Sequence, residues 1–441
     1  MARKPLSYAA GLLAVLSLIR LSWAEQHISG AERGRAEAIL QTISDEVKKH
    51  YYDPKFHDVD WGAQVAQAKQ KISTAPNFDM AMSYVAAALD ALNDSHTFLL
   101  PPQHTYRIEY GFQYQMVGSH CYVTRVRPGS NAEAKGLKPG FEILGIDNYK
   151  VSRDNLWKLQ YVFSVLLPQT TLRLALQDGA GNQGVLDVDT KVHMGKKVLN
   201  FTGDNAGNDI WDAIRSDETE DHLTRARYVT YGDQLIALKV PEFMFSQDEV
   251  DEMIKKARAY PNLVVDLRGN PGGAVDTLKY LVGGLFDKEV KIADRVGRKE
   301  AKPEVAKASH NPYTGKIVVL VDARSASAAE LFARIIQLEK RGAVIGDHTS
   351  GSVMESVQQG EQLGADTVIF YGLSITEWDL KMSDGQSLEH TGVSPDEVVL
   401  PTAGDIATGS DPVLARAAEI LGVKITPQEA GKAFPYEWPP E

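Results

Sequence analysis

The 441-residue chain has one cysteine, no excess of positive charge and no long unbroken apolar run. Each lack excludes something. Cys121 has no partner for an internal disulfide, and its place in the alternating stretch HCYVTRV predicts a small buried core residue. No Cys/His cluster has zinc-ligand spacing, so no metal is expected, and nothing in the sequence implies an organic cofactor. Lys and Arg total 47 against 58 Asp and Glu, a formal charge of -11. That balance argues against nucleic acid and against adsorption on anionic lipid. The glycine-rich stretch LRGNPGG (267–273) is not followed by Gly-Lys-Ser/Thr, which argues against a phosphate loop. The first apolar run, YAAGLLAVLSLI, is interrupted by Arg20 and is too short for a membrane span. With MARK before it and Ser22-Trp23-Ala24 after it, the run reads as a secretory signal over 1–24, an uncleaved anchor being the alternative. No stable membrane span is expected after its cleavage. Export with a lone cysteine fits a bacterial periplasm or exterior.

What is present is apolar residue enough (43%) for several cores. The expectation is a multidomain α/β protein. Residues 25–105 carry helical periodicity, as in ERGRAEAILQTISDEVKKHYY and AMSYVAAALDALN. Residues 106–195 show short strands with turn signals, and the polar stretch 196–223 reads as a linker. From 224 to 402, continuous apolar strands (QLIALKV, NLVVDL, KIVVLVD) alternate with helices, the pattern of a mostly parallel sheet. Residues 403–441 read as a C-terminal tail with an extended end.

Two strand-to-helix junctions in the last domain stand out. SASAAE (325–330) follows KIVVLVDAR and opens an amphipathic helix. Ser327 there is either an exposed nucleophile at the carboxyl end of a sheet or the cap of a Ser-x-x-Glu capping box with Glu330. LRGNPGG ends the other strand. A backbone N–H of Gly272 or Gly273, with that of Ala328, would form an oxyanion site.

The stretch YVTRVRPGSNAEAKGLKPGFEILGIDNYKV resembles the core of a PDZ domain. It departs from the pattern at Phe141, where aspartate is usual, and in a weak carboxylate loop, YGF (110–112). VVDLRGNPGG with VVLVDARSASAAE about fifty residues later resembles the carboxyl-terminal-processing, or tail-specific, serine peptidases, as do HYYDPKFHDVDW, LNDSHTFLLPP and DGQSLEHTGVSPDEVVL. The resemblance implies a ClpP/crotonase-like catalytic core, Ser327 as nucleophile and a polypeptide substrate, offered or gated by the PDZ-like domain. The family's usual base is a lysine 25 residues after the serine. Here that position is Ser352, and neither Lys340 nor Lys381 matches it. A second, tricorn-like branch uses a histidine. Its pattern implies His96 as base, with Ser95 and Glu389 completing a tetrad. His348 is a rival base, and Asp347, Glu355 and Asp384 are rival carboxylates. Histidine chemistry implies activity that falls as pH drops through about 6.5. The competing readings are a peptide- or partner-binding pseudopeptidase and a carrier of apolar ligands. Substrate preference and oligomeric state are not legible.

Overall fold

The computed structural model describes residues 28–194, 224–364 and 368–438. The expected signal and linker lie outside the described residues. The described residues begin with three α-helices, α1 (Gly30–His50), α2 (Trp61–Ser73) and α3 (Phe78–Asp90). Helix α1 opens on a capping box of Ser29 and Glu32 and buries Ala36, Ile39, Leu40, Ile43 and Val47, one face at helical spacing. Helix α3 is buried along almost its whole length, from Met80 to Leu89. It leads into β1 (Phe98–Leu100).

A β-domain follows. Strand β2 (Tyr106–Glu109) pairs with β9 (Lys191–Met194), so the chain comes in and goes out side by side. Between them lie β3 (Phe112–Val117), β4 (His120–Val126), α4 (Asn131–Ala134), β5 (Glu142–Ile146), β6 (Tyr149–Lys150), α5 (Leu156–Gln160), β7 (Thr171–Gln177) and β8 (Gln183–Asp189). The sheet order is β3-β4-β5-β7-β8, antiparallel throughout, with β6 on β5. A π-helical turn, Tyr161–Leu166, extends α5 and buries Val162, Phe163 and Leu166. Cys121 is buried here, and burial pushes its thiol up to about 12. It is a core residue.

The third unit contains β10 (Arg227–Tyr231), β11 (Leu235–Lys239), α6 (Gln247–Ala257), β12 (Asn262–Asp266), α7 (Val275–Gly283), β13 (Val290–Val296), β14 (Glu304–Ala306), β15 (Lys316–Val321), α8 (Ala328–Leu338), β16 (Ala343–Gly346), β17 (Met354–Leu363), β18 (Ile369–Lys381) and β19 (Glu397–Val398). Its main sheet runs β10-β11-β12-β15-β16-β19, parallel except for the β10–β11 pair. Strand residues alternate between two cores. Leu263, Val265, Ile317 and Val319 face helices α6 to α8, whereas Val264, Val318 and Leu320 face the other side.

That other side is covered by the segment expected to be a tail. Residues 403–438 instead form α9 (Ala403–Thr408), α10 (Pro412–Ile420) and α11 (Pro427–Ala430), and Val413, Leu414, Ala417 and Ala418 complete the second core. A parallel sheet exposes apolar side chains on both faces, so an uncovered face would cost too much. Arg268 fixes this layer through a bidentate pair with Asp411, the cap of α10, and a second pair with Asp266. The two cations beside it, Arg268 and Lys239, hold the buried Asp266 carboxyl well below the usual range despite the burial that opposes them.

A second sheet, β1-β18-β13-β14 with β17 on β18, joins the first and third units. Strand β1 pairs with β18 in the register Phe98↔Ser374 to Leu100↔Gly372. That pairing brings a loop from the helical unit to the third unit.

Candidate active site

The site is built from four loops. The first is the junction after β15. Asp322 turns the chain, and the Ser325 hydroxyl, fully buried, accepts the Asp322 N–H (3.0 Å) and donates to the Leu267 carbonyl (2.8 Å). The first serine of SASAAE is therefore a tie between neighbouring strand ends. Ser325→Ala would take the acceptor from the Asp322 N–H, while the Leu267 carbonyl keeps the Asn270 N–H, and a loss of about 1–3 kcal/mol is expected in urea unfolding.

Ser327 is different. Its φ of 53° and ψ of -119° are unusual for a residue with a side chain, a conformation that costs on the order of 1–3 kcal/mol. Its hydroxyl makes no cap hydrogen bond to α8. The Glu330 N–H is instead taken by the Ser327 carbonyl at 2.9 Å. The residues of the expected capping box are in place, with Glu330 Oε2 accepting the Ser327 N–H at 3.0 Å, but the Ser327 hydroxyl lies toward the Glu330 N–H without a cap hydrogen bond to it.

The second loop is LRGNPGG. Gly272 (φ 104°) lies against the serine, and a Cβ there would stand 2.6 Å from Ser327 Cβ. Gly273 (φ 139°) passes the Phe243 carbonyl just as tightly. Asn270, fully buried, accepts the Gly272 N–H at 2.7 Å and donates to the Val240 carbonyl. The Gly272 N–H is thus occupied, which removes it from the two glycine donors expected. The N–H groups of Gly273 and Ala328 make no hydrogen bond among the described residues. Both flank Ser327. Gly272→Ala is expected to lower kcat by about 100-fold or more, because its Cβ must push the serine aside; single-turnover rates would measure it.

The third loop, after α3, carries Ser95 and His96. His96 is nearly buried, its N–H held by Asp94 Oδ1 (2.8 Å), which also accepts from Thr376 on β18 (2.7 Å). Its Nδ1 lies 2.8 Å from Ser95 Oγ. Ser95 Oγ donates to Glu389 Oε2 at 2.8 Å. A hydroxyl has one proton, so Ser95 accepts from the ring, and Nδ1 carries the hydrogen. His96 Nε2 is then left with its lone pair and, among the described residues, no bonded partner. Burial pulls the imidazole below its usual range, against the opposing fields of Glu389 and Asp94.

The fourth loop, 347–353, ties these together. The Ser352 carbonyl accepts the Ser327 N–H at 2.8 Å. The next N–H, of Val353, donates to Glu389 Oε2 at 2.8 Å. Glu389 also takes the Ser95 N–H (2.9 Å). Ser95, His96 and Glu389 therefore meet directly, and Ser327 is linked to them through two consecutive backbone groups. No hydrogen bond joins Ser327 Oγ to His96. Position 352 holds Ser327 through its backbone carbonyl, while its hydroxyl meets that of Ser350 at 2.9 Å.

The rivals are placed elsewhere. Asp347 pairs with Arg153, Glu355 with Arg295 and Asp384 with Arg334. The His348 ring turns to its neighbour, with Nδ1 3.3 Å from the Thr349 carbonyl. Lys381 pairs with Asp379. Asp94 and Asn270, which hold the His96 backbone and the glycine loop, are not singled out by the sequence. Both lie inside motifs that were singled out, but only folding shows what their carboxylate and amide reach.

The β-domain touches the fourth loop. Arg153 donates to the His348 carbonyl (2.8 Å) and to Asp347 (2.6 Å). Helix α5 also holds the loop bearing His96 from both flanks, through Lys158–Asp90 (2.7 Å) and through Tyr161, whose hydroxyl donates to the Leu99 carbonyl. A cleft of about 710 Å³ opens between this domain and the carboxyl ends of the parallel strands, reaching Gly269 and Pro271 but not Ser327. The cleft adjoins the site without containing it. Among the described residues, no three His, Cys, Asp or Glu side chains are placed to hold a metal, and no helix is long and apolar enough to cross a membrane.

Known proteins share this architecture. Residues 235–399 match the model described as peptidase family S41. The chain is 22% identical over 364 residues to carboxyl-terminal-processing peptidase 3, chloroplastic, of Arabidopsis thaliana, covering 79% of this chain and 66% of that protein. It is 23% identical over 403 residues to tricorn protease homolog 2 of Streptomyces coelicolor, covering 85% of this chain and 31% of that one. The chain thus spans only part of these curated relatives. In three dimensions it is similar to mature CPAF complexed with lactacystin, with a TM-score of 0.63, 17% identity, and coverage of 89% and 98% of the two chains. Residues 235–399 thus match peptidase family S41, and the chain is a homologue of carboxyl-terminal-processing and tail-specific peptidases.

Proposed function

We propose that this protein is an exported serine endopeptidase that cleaves polypeptides by acyl transfer, with Ser327 as nucleophile and His96 as base. One observation carries the reading. A serine hydroxyl without a cap hydrogen bond sits at a strained junction, packed against Gly272, and the Glu389–Ser95–His96 chain is fastened to the loop that holds its backbone. In the reaction, Ser327 Oγ attacks the peptide carbonyl and its proton passes to His96 Nε2. Glu389, acting through Ser95, fixes the tautomer and stabilises the charged ring. The N–H groups of Gly273 and Ala328 hold the oxyanion. His96 then gives its proton to the leaving amine, and water resolves the acyl-enzyme by the same route. The backbone role of position 352 explains how the site keeps its shape with Ser352 where lysine is usual.

The β-domain is PDZ-like in this reading, and offers a substrate tail or gates the site through Arg153. Export rests on the signal-like residues 1–24. The apolar-ligand carrier is not favoured by any feature of the site. The test is incubation of the mature protein with an unfolded model polypeptide and, separately, with a serine-directed fluorophosphonate, both read by mass spectrometry. Cleavage together with a label on Ser327 supports the reading. An uncut substrate and an unlabelled Ser327 would leave a peptide-binding pseudopeptidase in its place.

A further inference from the structure

Glu330 is fully buried, yet all four of its hydrogen bonds come from neutral donors. Oε1 accepts from Thr349 Oγ1 (2.6 Å) and Gly351 N–H (2.7 Å). Oε2 accepts from Ser352 N–H (2.9 Å) and Ser327 N–H (3.0 Å). A carboxylate without a counter-ion is expensive to bury. Burial pushes this one up to about 7 in spite of the four bonds. A helix end needs no such arrangement, because a serine hydroxyl caps it at far lower cost.

The geometry shows what the carboxylate joins. One oxygen spans from the strained Ser327 to Ser352, and the other holds Thr349 and Gly351 of the same loop. The next residue along that loop, Val353, donates to Glu389. Two arms thus leave Glu330. One sets the backbone of the serine, and the other sets the loop on which the Glu389–Ser95–His96 chain is fastened. Thr349 extends the clamp, since its Oγ1 also accepts the Val393 N–H (2.6 Å) from the segment that follows Glu389.

We propose that Glu330 is a positioning residue for catalysis, a buried clamp that holds the Ser327 hydroxyl in register with His96 across two segments of chain. This rests on the reading of Ser327 as nucleophile. It predicts a defect in the chemical step, whereas a plain helix cap would lose stability with kcat intact.

The test compares wild type with Glu330→Gln and the near-isosteric Thr349→Val. Three quantities are measured: kcat, KM and the rate at which a fluorophosphonate labels Ser327, below the unfolding temperature of each protein by circular dichroism. In Glu330→Gln an amide NH₂ replaces one acceptor oxygen, so two of the four N–H and O–H donors lose their partner. Its kcat and labelling rate are expected to fall together by about 10- to 100-fold, with KM within about threefold. Thr349→Val removes the donor to Glu330 and the acceptor of the Val393 N–H, and is expected to lower the same two rates by about 3- to 10-fold. Should Glu330→Gln not fold, Thr349→Val decides. Folded variants with wild-type kcat and labelling overturn the clamp while leaving Ser327 as nucleophile. A wild type inert to both substrate and reagent overturns the nucleophile reading and the clamp with it.

Discussion

Ser327→Ala is expected to reduce peptide cleavage by about 10⁶-fold while leaving the unfolding midpoint unchanged. The first number follows from removing the nucleophile of a serine hydrolase. The second follows from the local structure, because the Ser327 hydroxyl makes no cap hydrogen bond whose loss would weaken α8. The residue's φ of 53° is equally awkward for serine and alanine, so the strain stays. The competing cap reading predicts the reverse pattern, with cleavage preserved and about 1 kcal/mol of stability lost. A cleavage assay beside a urea titration separates them in one pair of proteins. Full activity in the alanine variant would end the nucleophile assignment.

The second large effect concerns His96. His96→Ala is expected to cost about 10⁴- to 10⁶-fold in kcat, since the serine hydroxyl is a poor nucleophile without a base. Its pH dependence differs from the sequence expectation of an inflection near 6.5. Only the neutral ring accepts the serine proton, so activity must fall as pH drops through the folded pKa. Burial lowers that pKa, because desolvation outweighs the attraction of Glu389 and Asp94. The inflection in kcat/KM is therefore expected below the usual 6.5, and the base stays available further into acid than a free imidazole would. An acid limb centred at or above 6.5, or a flat profile through the whole acid range, would count against His96. Gly272→Ala and Ser325→Ala then separate the nearby geometry from the strand tie, the first acting on rate and the second on stability.

How much of this was legible depends on the distance over which each feature is decided. Strands such as NLVVD and KIVVLV announce a buried parallel sheet because both faces must be apolar. The glycines of LRGNPGG mark a backbone that passes close to something. The tail was misread for a related reason. Helices α9 to α11 are short, and their apolar residues gain meaning only against the second face of the sheet, which the sequence does not show as uncovered. The choice between Gly272 and Gly273 was equally closed, because the competing acceptor is the side chain of Asn270, placed by its own bond to the Val240 carbonyl.

By itself the sequence determined the alternation of strands and helices, the junction that exposes Ser327 and the absence of the lysine at 352. These depend on residues within a few positions of one another, where periodicity and turn chemistry act. The tertiary structure alone decided that Ser95, His96 and Glu389 meet, since 293 or more residues separate that pair from the glutamate and only the β1–β18 register brings them together. It also decided that the Glu330 carboxylate reaches Thr349, Gly351 and Ser352 as well as the Ser327 N–H. A hydrogen bond is made over about 3 Å of space, and folding, not spacing in the chain, determines which groups come that close.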